Sequence, residues 1–251
     1  MTLPLLSFGS NAPPPRNQLS NFHEAPIRVR RHDILPFFMG MTAPAYASWI
    51  PEYGPGVVFP SSEHFWQSLK ACDAHTFHAF TADGALGKLT PDAFAIFFPA
   101  RKNADKALAK CAYWSKKRNV GILAKLAVSK ARQRALGKAR GWQFLYPDTN
   151  DAPMTPKLAE LEACIWTHIL TLKFEQNPGP RLALMYTGNA HLYEQARMNP
   201  GHWAGMVTKE GTFEGENAMG RYMMAVRSVF GLYIHPNNDD EVEEEEGRGY
   251  V

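Results

Sequence analysis

The sequence predicts a single α+β domain, predominantly helical with a few short strands. Three observations lead there. Apolar residues recur mostly at helical spacing between capping and breaking residues, the strand-like runs are short, and no internal repeat or composition shift divides the body of the chain. With 251 residues, 45% of them hydrophobic and 12% aromatic, the chain can bury one sizeable core.

Taken in order, residues 1–16 are Pro-rich and read as irregular, 17–234 as the domain, and 235–251 as a tail. Ala25–Phe38 alternates apolar and polar positions, which predicts a strand or hairpin. Residues 40–58 are loop-like. Pro60 then breaks the chain and Ser61 or Ser62 caps a helix. On that helix Phe65, Leu69 and Cys72 form an apolar stripe, and Glu63, Gln67 and Lys70 form a polar one. Such a polar stripe is ordinarily a solvated face; the alternative is that Glu63 lines a pocket.

Further helices are expected over Asp92–Phe98, Asn103–Lys116 and Val120–Leu136, the last closed by Gly137. After a turn-rich connector, Thr155 caps a long helix with Pro156 at its first position and Leu158, Leu161, Ile165, Ile169 and Leu172 as its core stripe. Pro178 stops it. Arg181–Gly188 reads as a short buried strand, and Asn189 as the cap of a helix through Arg197. A final helix from about Gly215 buries Met219, Met223, Val226 and Phe230.

Net charge is +3, unevenly spread. The run "DDEVEEEEG" holds seven acids, so the rest carries 27 bases against 17 acids, and Lys110–Arg140 holds ten Lys or Arg with no acid. A basic body suits a phosphate-bearing partner, although basic helix surfaces also serve solubility alone. The acidic tail reads as disordered and solvating. No window reaches 18 consecutive apolar residues and the start lacks a basic n-region, so neither a membrane span nor a secretory leader is expected, and the location expected is cytoplasmic. Cys72, Cys111 and Cys164 are odd in number and widely spaced, and read as reduced, buried residues of helices without metal-ligand spacing.

The chain has no Gly-rich phosphate loop, no G-x-S-x-G elbow, no H-E-x-x-H and no C-x-x-C. Neighbours Glu63 and His64 would point about 100° apart on a helix, so they form no dyad. Nucleophilic Ser or Cys catalysis has no support. What remains is polar and aromatic residues at element ends, each of which taken singly is more often structural: Trp114 and Trp203 as core or rim aromatics, Asn189 as a cap, Glu194 as a solvent-facing helix residue.

Their order nevertheless resembles the YbiA-like, or NADAR, family. The segments that carry the resemblance are Ser20-Asn21-Phe22, "PSSEHFWQSLKA" (Pro60–Ala71), "LKFEQNP" (Leu172–Pro178), "TGNAHLYE" (Thr187–Glu194), "HWAG" (His202–Gly205) and "GENAMGRYMMAVR" (Gly215–Arg227). They span residues 17–230, and no single motif among them is decisive. The resemblance implies an N-glycosidase that hydrolyses a ribosyl C1′–N bond. Its substrates would be phosphoribosylamino-pyrimidine intermediates of riboflavin biosynthesis or ADP-ribosylated guanine in nucleic acid. No metal or other cofactor is implied.

By the resemblance Glu63 is the catalytic carboxylate, able to stabilise an oxocarbenium-like ribose or activate water. Its place in the first helical turn favours the anion by roughly 0.3–1 kcal/mol. Trp114 and Trp203 are candidates to stack on the leaving group. Lys70, Lys117 and the Gly188–Asn189 turn could meet phosphate, and Asn21 and Asn217 ribose hydroxyls or base edges. Phe22, His64 and Gly205, from the same motifs, complete the expected ligand-binding set.

The chain departs from the family pattern twice. The Asp that many members carry before the Trp-Gly pair is absent from "MNPGHWAG", so catalysis would rest on Glu63 and binding, or use His202 as the replacement acid. Residues 118–155 look like a family-variable basic insertion. Three readings follow: an N-glycosidase; a non-catalytic module that binds ADP-ribose or another NAD-derived ligand; and a nucleic-acid binder that uses the 110–140 face alone. The partner expected is a phosphorylated ribosyl small molecule or ADP-ribosylated nucleic acid, with no membrane.

Overall fold

The computed structural model describes residues 4–34, 48–98, 103–128, 130–144, 162–196 and 201–234. It is an α+β domain whose core forms around one helix. Three pairs of strands lie at its periphery: β1 (Leu5–Phe8) runs parallel to β4 (His191–Glu194), β2 (Ile27–Val29) antiparallel to β3 (Val57–Phe59), and β5 (Met206–Val207) antiparallel to β6 (Phe213–Glu214). The helices are α1 (Arg31–Ile34), α2 (Ser62–Ser68), α3 (Ala74–His78), α4 (Pro91–Ala95), α5 (Ala104–Lys116), α6 (Ile122–Ala127), α7 (Lys130–Arg140), α8 (Glu162–Gln176), α9 (Pro178–Met185) and α10 (Ala218–Ile234). No helix among the described residues is long and apolar enough to cross a membrane.

The central helix is α8. Ile165 and Ile169 of its expected stripe are buried, but so are Trp166, Leu170, Lys173 and Phe174 on its other sides. It therefore packs over a broad face, against α2, α9, α10 and β2, with Cys164 and Glu175 left exposed on the other. Thr155, Pro156, Leu158 and Leu161 lie outside the described residues, as does the acidic tail.

Side-chain caps explain three helix starts. The Ser61 side chain accepts from the His64 N–H and caps α2. Asp73 and Thr90 do the same for α3 and α4, the latter followed by Pro91.

Several expectations are corrected. Residues 1–16 are not uniformly irregular, because Leu5–Phe8 finds a partner in β4 with Leu5 opposite His191 and Phe8 opposite Glu194. The segment taken for a buried strand at Arg181–Gly188 begins as helix α9, with Pro178 at its first position and the helix formers Leu182–Met185 behind it. Asn189 starts no helix; it sits in a turn before β4. The helix expected over Val120–Leu136 is two, α6 and α7, and the Gln133 amide donates to the Val128 carbonyl at the break. Gly137 lies inside α7 rather than ending it. Of the strand or hairpin expected over Ala25–Phe38, the described residues form Ile27–Val29 and then the single turn of α1, and residues 35–38 lie outside them. Of the three cysteines only Cys111 is buried, and Cys72 lies outside any helix.

The G-x-N-x-x-G segment acquires a structural reason. Asn217 takes a positive φ of 52° just before α10, its amide donates to the Leu192 carbonyl at 2.8 Å, and its oxygen accepts from the Glu194 N–H at 3.2 Å. A Cβ at Gly220 would lie 2.2 Å from the Leu192 carbonyl oxygen, so only glycine lets α10 seat against β4. Gly220→Ala is therefore expected to destabilise the chain by about 1–3 kcal/mol in urea unfolding. Gly231→Ala on the same helix meets nothing within 4 Å and should be neutral or stabilising by about 0.5–1 kcal/mol.

Candidate active site

Glu63 stands in the first turn of α2, and its surroundings are not a solvated face. All seven residues of the helix are buried, Glu63 with 7% of its surface exposed. Its backbone N–H donates to the Asn21 carbonyl at 3.1 Å, which ties α2 to the Ser20–Phe22 segment. Gly121 closes the same corner: its N–H donates to the Phe22 carbonyl at 3.0 Å, and a Cβ there would come 2.6 Å from Phe22 Cα and 3.0 Å from Glu63 Cβ. Residues 118–155, expected as an insertion, thus supply part of this wall. Lys125 from the same stretch sits 5.0 Å over the Phe22 ring.

The Glu63 carboxylate accepts from Gln67 Nε2 at 2.7 Å. Burial pushes its pKa up, while the Gln67 donor and the positive charges of Lys125 and Lys70 oppose the shift. The helix position alone suggested an ordinary ionised carboxylate; burial outweighs that small dipole effect.

The second acid is Glu194. Expected as a solvent-facing helix residue, it instead ends β4, partly buried, with its N–H held by Asn217. Burial first, and then the charge of Glu63, raise its pKa to about 7, against the opposing effect of Lys125 and Lys173. The charge of Glu63 thus acts on Glu194, and that of Lys125 on both.

Lys173 of α8 has no exposed surface. Its Nζ donates to the Leu19 and Ser20 carbonyls at 3.2 and 2.9 Å, and burial lowers its pKa to about 7 although Glu194 opposes the shift. Two buried acceptors at this site, Asn21 Oδ1 and Gln67 Oε1, have no hydrogen-bond partner. They suit a ligand bearing hydroxyl or N–H donors.

A group of aromatic rings flanks the acids. Trp203 meets Trp66 and Trp166 edge-on at 6.0 and 5.8 Å, and Lys70 lies 5.4 Å from the Trp66 ring. Lys70 is held between the charges of Glu63 and Glu162.

His202, expected as the replacement acid, is engaged elsewhere. Its Nδ1 and Nε2 each lie 2.6 Å from a carboxylate, those of Glu216 and Glu162, and these partners raise its pKa. Tyr222 also donates to Glu162, at 3.0 Å. With both nitrogens committed, His202 fastens the loop before Trp203 to α8 and to the segment leading into α10.

The other expected residues divide similarly. His64 is fully buried, its Nδ1 2.9 Å from Ser61 Oγ and its Nε2 2.9 Å from the Leu86 carbonyl, which leaves neither nitrogen for a ligand. Trp114 packs edge-on against Tyr113, and its carbonyl accepts from the N–H groups of Lys117 and Asn119 at the end of α5. Lys117 donates to Asn11 and lies over the Tyr113 ring. Gly188 and Asn189 are exposed in a turn, where the Gly188 N–H already donates to Met185; no helix start is present there to hold phosphate. Gly205 is a packing glycine whose Cβ would lie 2.2 Å from the Phe213 ring, and its N–H donates to the Glu194 carbonyl. Asn217 holds β4 with both ends of its amide. Glu63, Asn21, Phe22 and Lys70 are the expected residues that the structure brings together, with Trp203 at the aromatic edge.

Glu194, Lys173 and Lys125 had no role in the sequence reading. Glu194 and Lys173 lay within the segments quoted for the family resemblance, and that was the available signal. Among the described residues no group of three or more His, Cys, Asp or Glu side chains is placed to hold a metal ion.

No family model matches the chain, and no curated protein matches it. Among solved structures it is similar to the E. coli protein YbiA, determined by NMR, with a TM-score of 0.47 and 17% sequence identity over 96% of this chain and 93% of that one.

Glu194 binds its proton more tightly folded than unfolded. Its contribution to stability is complete below about pH 4.5 and is lost as the pH rises through about 7. The stability advantage of the parent chain over Glu194→Gln, measured by urea unfolding, should therefore shrink between pH 4.5 and 7.5. A difference that stays constant would show that Glu194 titrates like an exposed carboxylate.

Proposed function

We propose that the chain is an N-glycosidase that hydrolyses the C1′–N bond between ribose and a pyrimidine- or purine-like base. The observation that carries the reading is the electrostatic coupling of the buried Glu63 to Glu194, with Lys125 and Lys70 acting on the acids and Trp66, met edge-on by Trp203, on the helix that carries Glu63. Two carboxyl groups whose surroundings set different proton affinities are the equipment for cleaving a glycosidic bond.

In this mechanism Glu194, protonated in good part near pH 7, delivers its proton to the leaving nitrogen as the C1′–N electron pair departs. Glu63 acts as its anion, which the Gln67 donor and the charges of Lys125 and Lys70 favour against burial; it faces the oxocarbenium-like ribose and takes the proton from the water that adds to C1′. Glu194 replaces His202 in the acid role and supplies the second carboxyl that the absent Asp left open. Asn21 and Gln67 offer acceptors to ribose hydroxyls, and Trp203 an aromatic surface to the base. The substrate class is a phosphorylated ribosyl compound, either a phosphoribosylamino-pyrimidine of the riboflavin route or ADP-ribosylated guanine. Lys125, exposed beside Phe22 and acting on both acids, is the cation offered to its phosphate.

Mass-spectrometric turnover with both substrates tests the reading. Release of ribose phosphate or ADP-ribose is expected, falling at least ~100-fold in Glu63→Gln while binding persists. The rate should decline as pH rises through about 7, where Glu194 loses its proton. Tight binding of one substrate without turnover would instead favour a non-catalytic reader of that ligand; undiminished turnover in Glu63→Gln would remove Glu63 from the chemistry.

A further inference from the structure

A second cleft, of about 460 Å³, opens where the 3-10 turn Arg16–Leu19 and the His23–Pro26 segment meet Arg118 and the start of α9. None of Asn21, Phe22, Glu63 and Glu194 lines it. Its size is that of a small-molecule site. Prolines wall it, Pro26 and Pro178 among them, and give flat apolar faces that carry no backbone donor.

Three polar groups of the cleft stand out as acceptors, beside the amides of Gln18 and Asn177. His23 is 5% exposed, and its Nδ1 is buried without a hydrogen-bond partner. Asn17 Oδ1, also lining the cleft, is buried and unpartnered as well. Burial and the charges of Lys173 and Arg118 lower the His23 pKa to about 4, so its ring is neutral at pH 7 and can accept. The Glu24 carboxylate adds a third acceptor. Arg118 lies beside it, Nε to Oε2 3.4 Å, with most of its side chain exposed.

We infer that this cleft is a second ligand site, which takes an aminopurine nucleotide. The amino edge of the ring donates to Asn17 Oδ1 and His23 Nδ1, the ring lies between the proline faces, and the phosphate meets Arg118. A purine edge carrying amino and ring N–H groups matches the acceptors, its flat ring the proline faces, and its phosphate Arg118. An occupant here would bear on the segment that builds the first site. The His23 N–H donates to the Ser20 carbonyl, which also holds Lys173, and the Glu24 N–H donates to the Arg118 carbonyl at 2.7 Å.

Calorimetric titration of the full chain with GMP tests the inference, with ribose 5-phosphate as the base-free control. GMP should bind with Kd below about 1 mM, ribose 5-phosphate about tenfold more weakly, and His23→Leu should weaken GMP about tenfold while Lys125→Ala, which removes the exposed cation of the first site, leaves it unchanged. Asn17→Leu, on a partly exposed turn, gives the same comparison in the event that His23→Leu does not fold. No GMP binding at about 10 mM, equal binding of the control, or GMP binding that either cleft variant leaves intact would overturn the assignment. So would GMP binding weakened about tenfold by Lys125→Ala, because the nucleotide's phosphate would then sit in the first site. The titration reads binding alone, so its outcome is independent of whether the chain turns over a glycoside.

Discussion

Lys173 fixes the centre of this molecule. An amine with no exposed surface is tolerated only where partners replace water, and here two backbone carbonyls do so. Those carbonyls belong to Leu19 and Ser20, so α8 holds the chain segment that carries Asn21 and Phe22. Asn21 in turn accepts from Glu63, and Phe22 from Gly121. One buried cation therefore joins the central helix, the polar loop, the start of α2 and the start of α6. Its charge also acts on Glu194, which β4 brings in from the other side.

The remaining close approaches serve this arrangement. Gly121 and Gly220 stand where any side chain would meet backbone or Cβ within about 3 Å. Asn217 clamps the strand that ends in Glu194. The Trp203 loop is fastened by His202 to two carboxylates and by its carbonyls to the first N–H groups of α10, Ala218 to His202 and Met219 to Trp203. Several residues that resembled ligand contacts are, in this structure, the frame around a smaller set of acids and lysines. A frame this constrained suits catalysis, because reacting groups must be held in place rather than found by diffusion.

The fold class was legible because it rests on local signals. Thr90-Pro91 marks α4, the acid-first and base-last charges mark α5, and the Met219–Met223–Val226 spacing marks α10. The strand β4 was not legible, since four residues give little pattern and their partner, Leu5–Phe8, comes from the far end of the sequence. At the site, Glu63 was legible by its place at a helix start, but its burial was not: a Glu-Gln-Lys stripe at helical spacing ordinarily faces water, and only the packing of Gly121 and Phe22 against it reverses that. Glu194 was hidden for the same reason that β4 was. His202 was misread because adjacency to a tryptophan in sequence says nothing about the carboxylates of Glu162 and Glu216, which arrive from distant elements.

The central claim is that Glu63 and Glu194 share one enclosed site and titrate as a coupled pair. Carbon-detected NMR titration of the glutamate carboxyl groups tests it most directly. One carboxyl titrating near pH 7, with its midpoint lowered when Glu63 is replaced by Gln, is the result that the structure requires. Both carboxyls titrating independently near 4.5 would mean that they do not share a site, and the proposed division of acid and anion between them would fall with it.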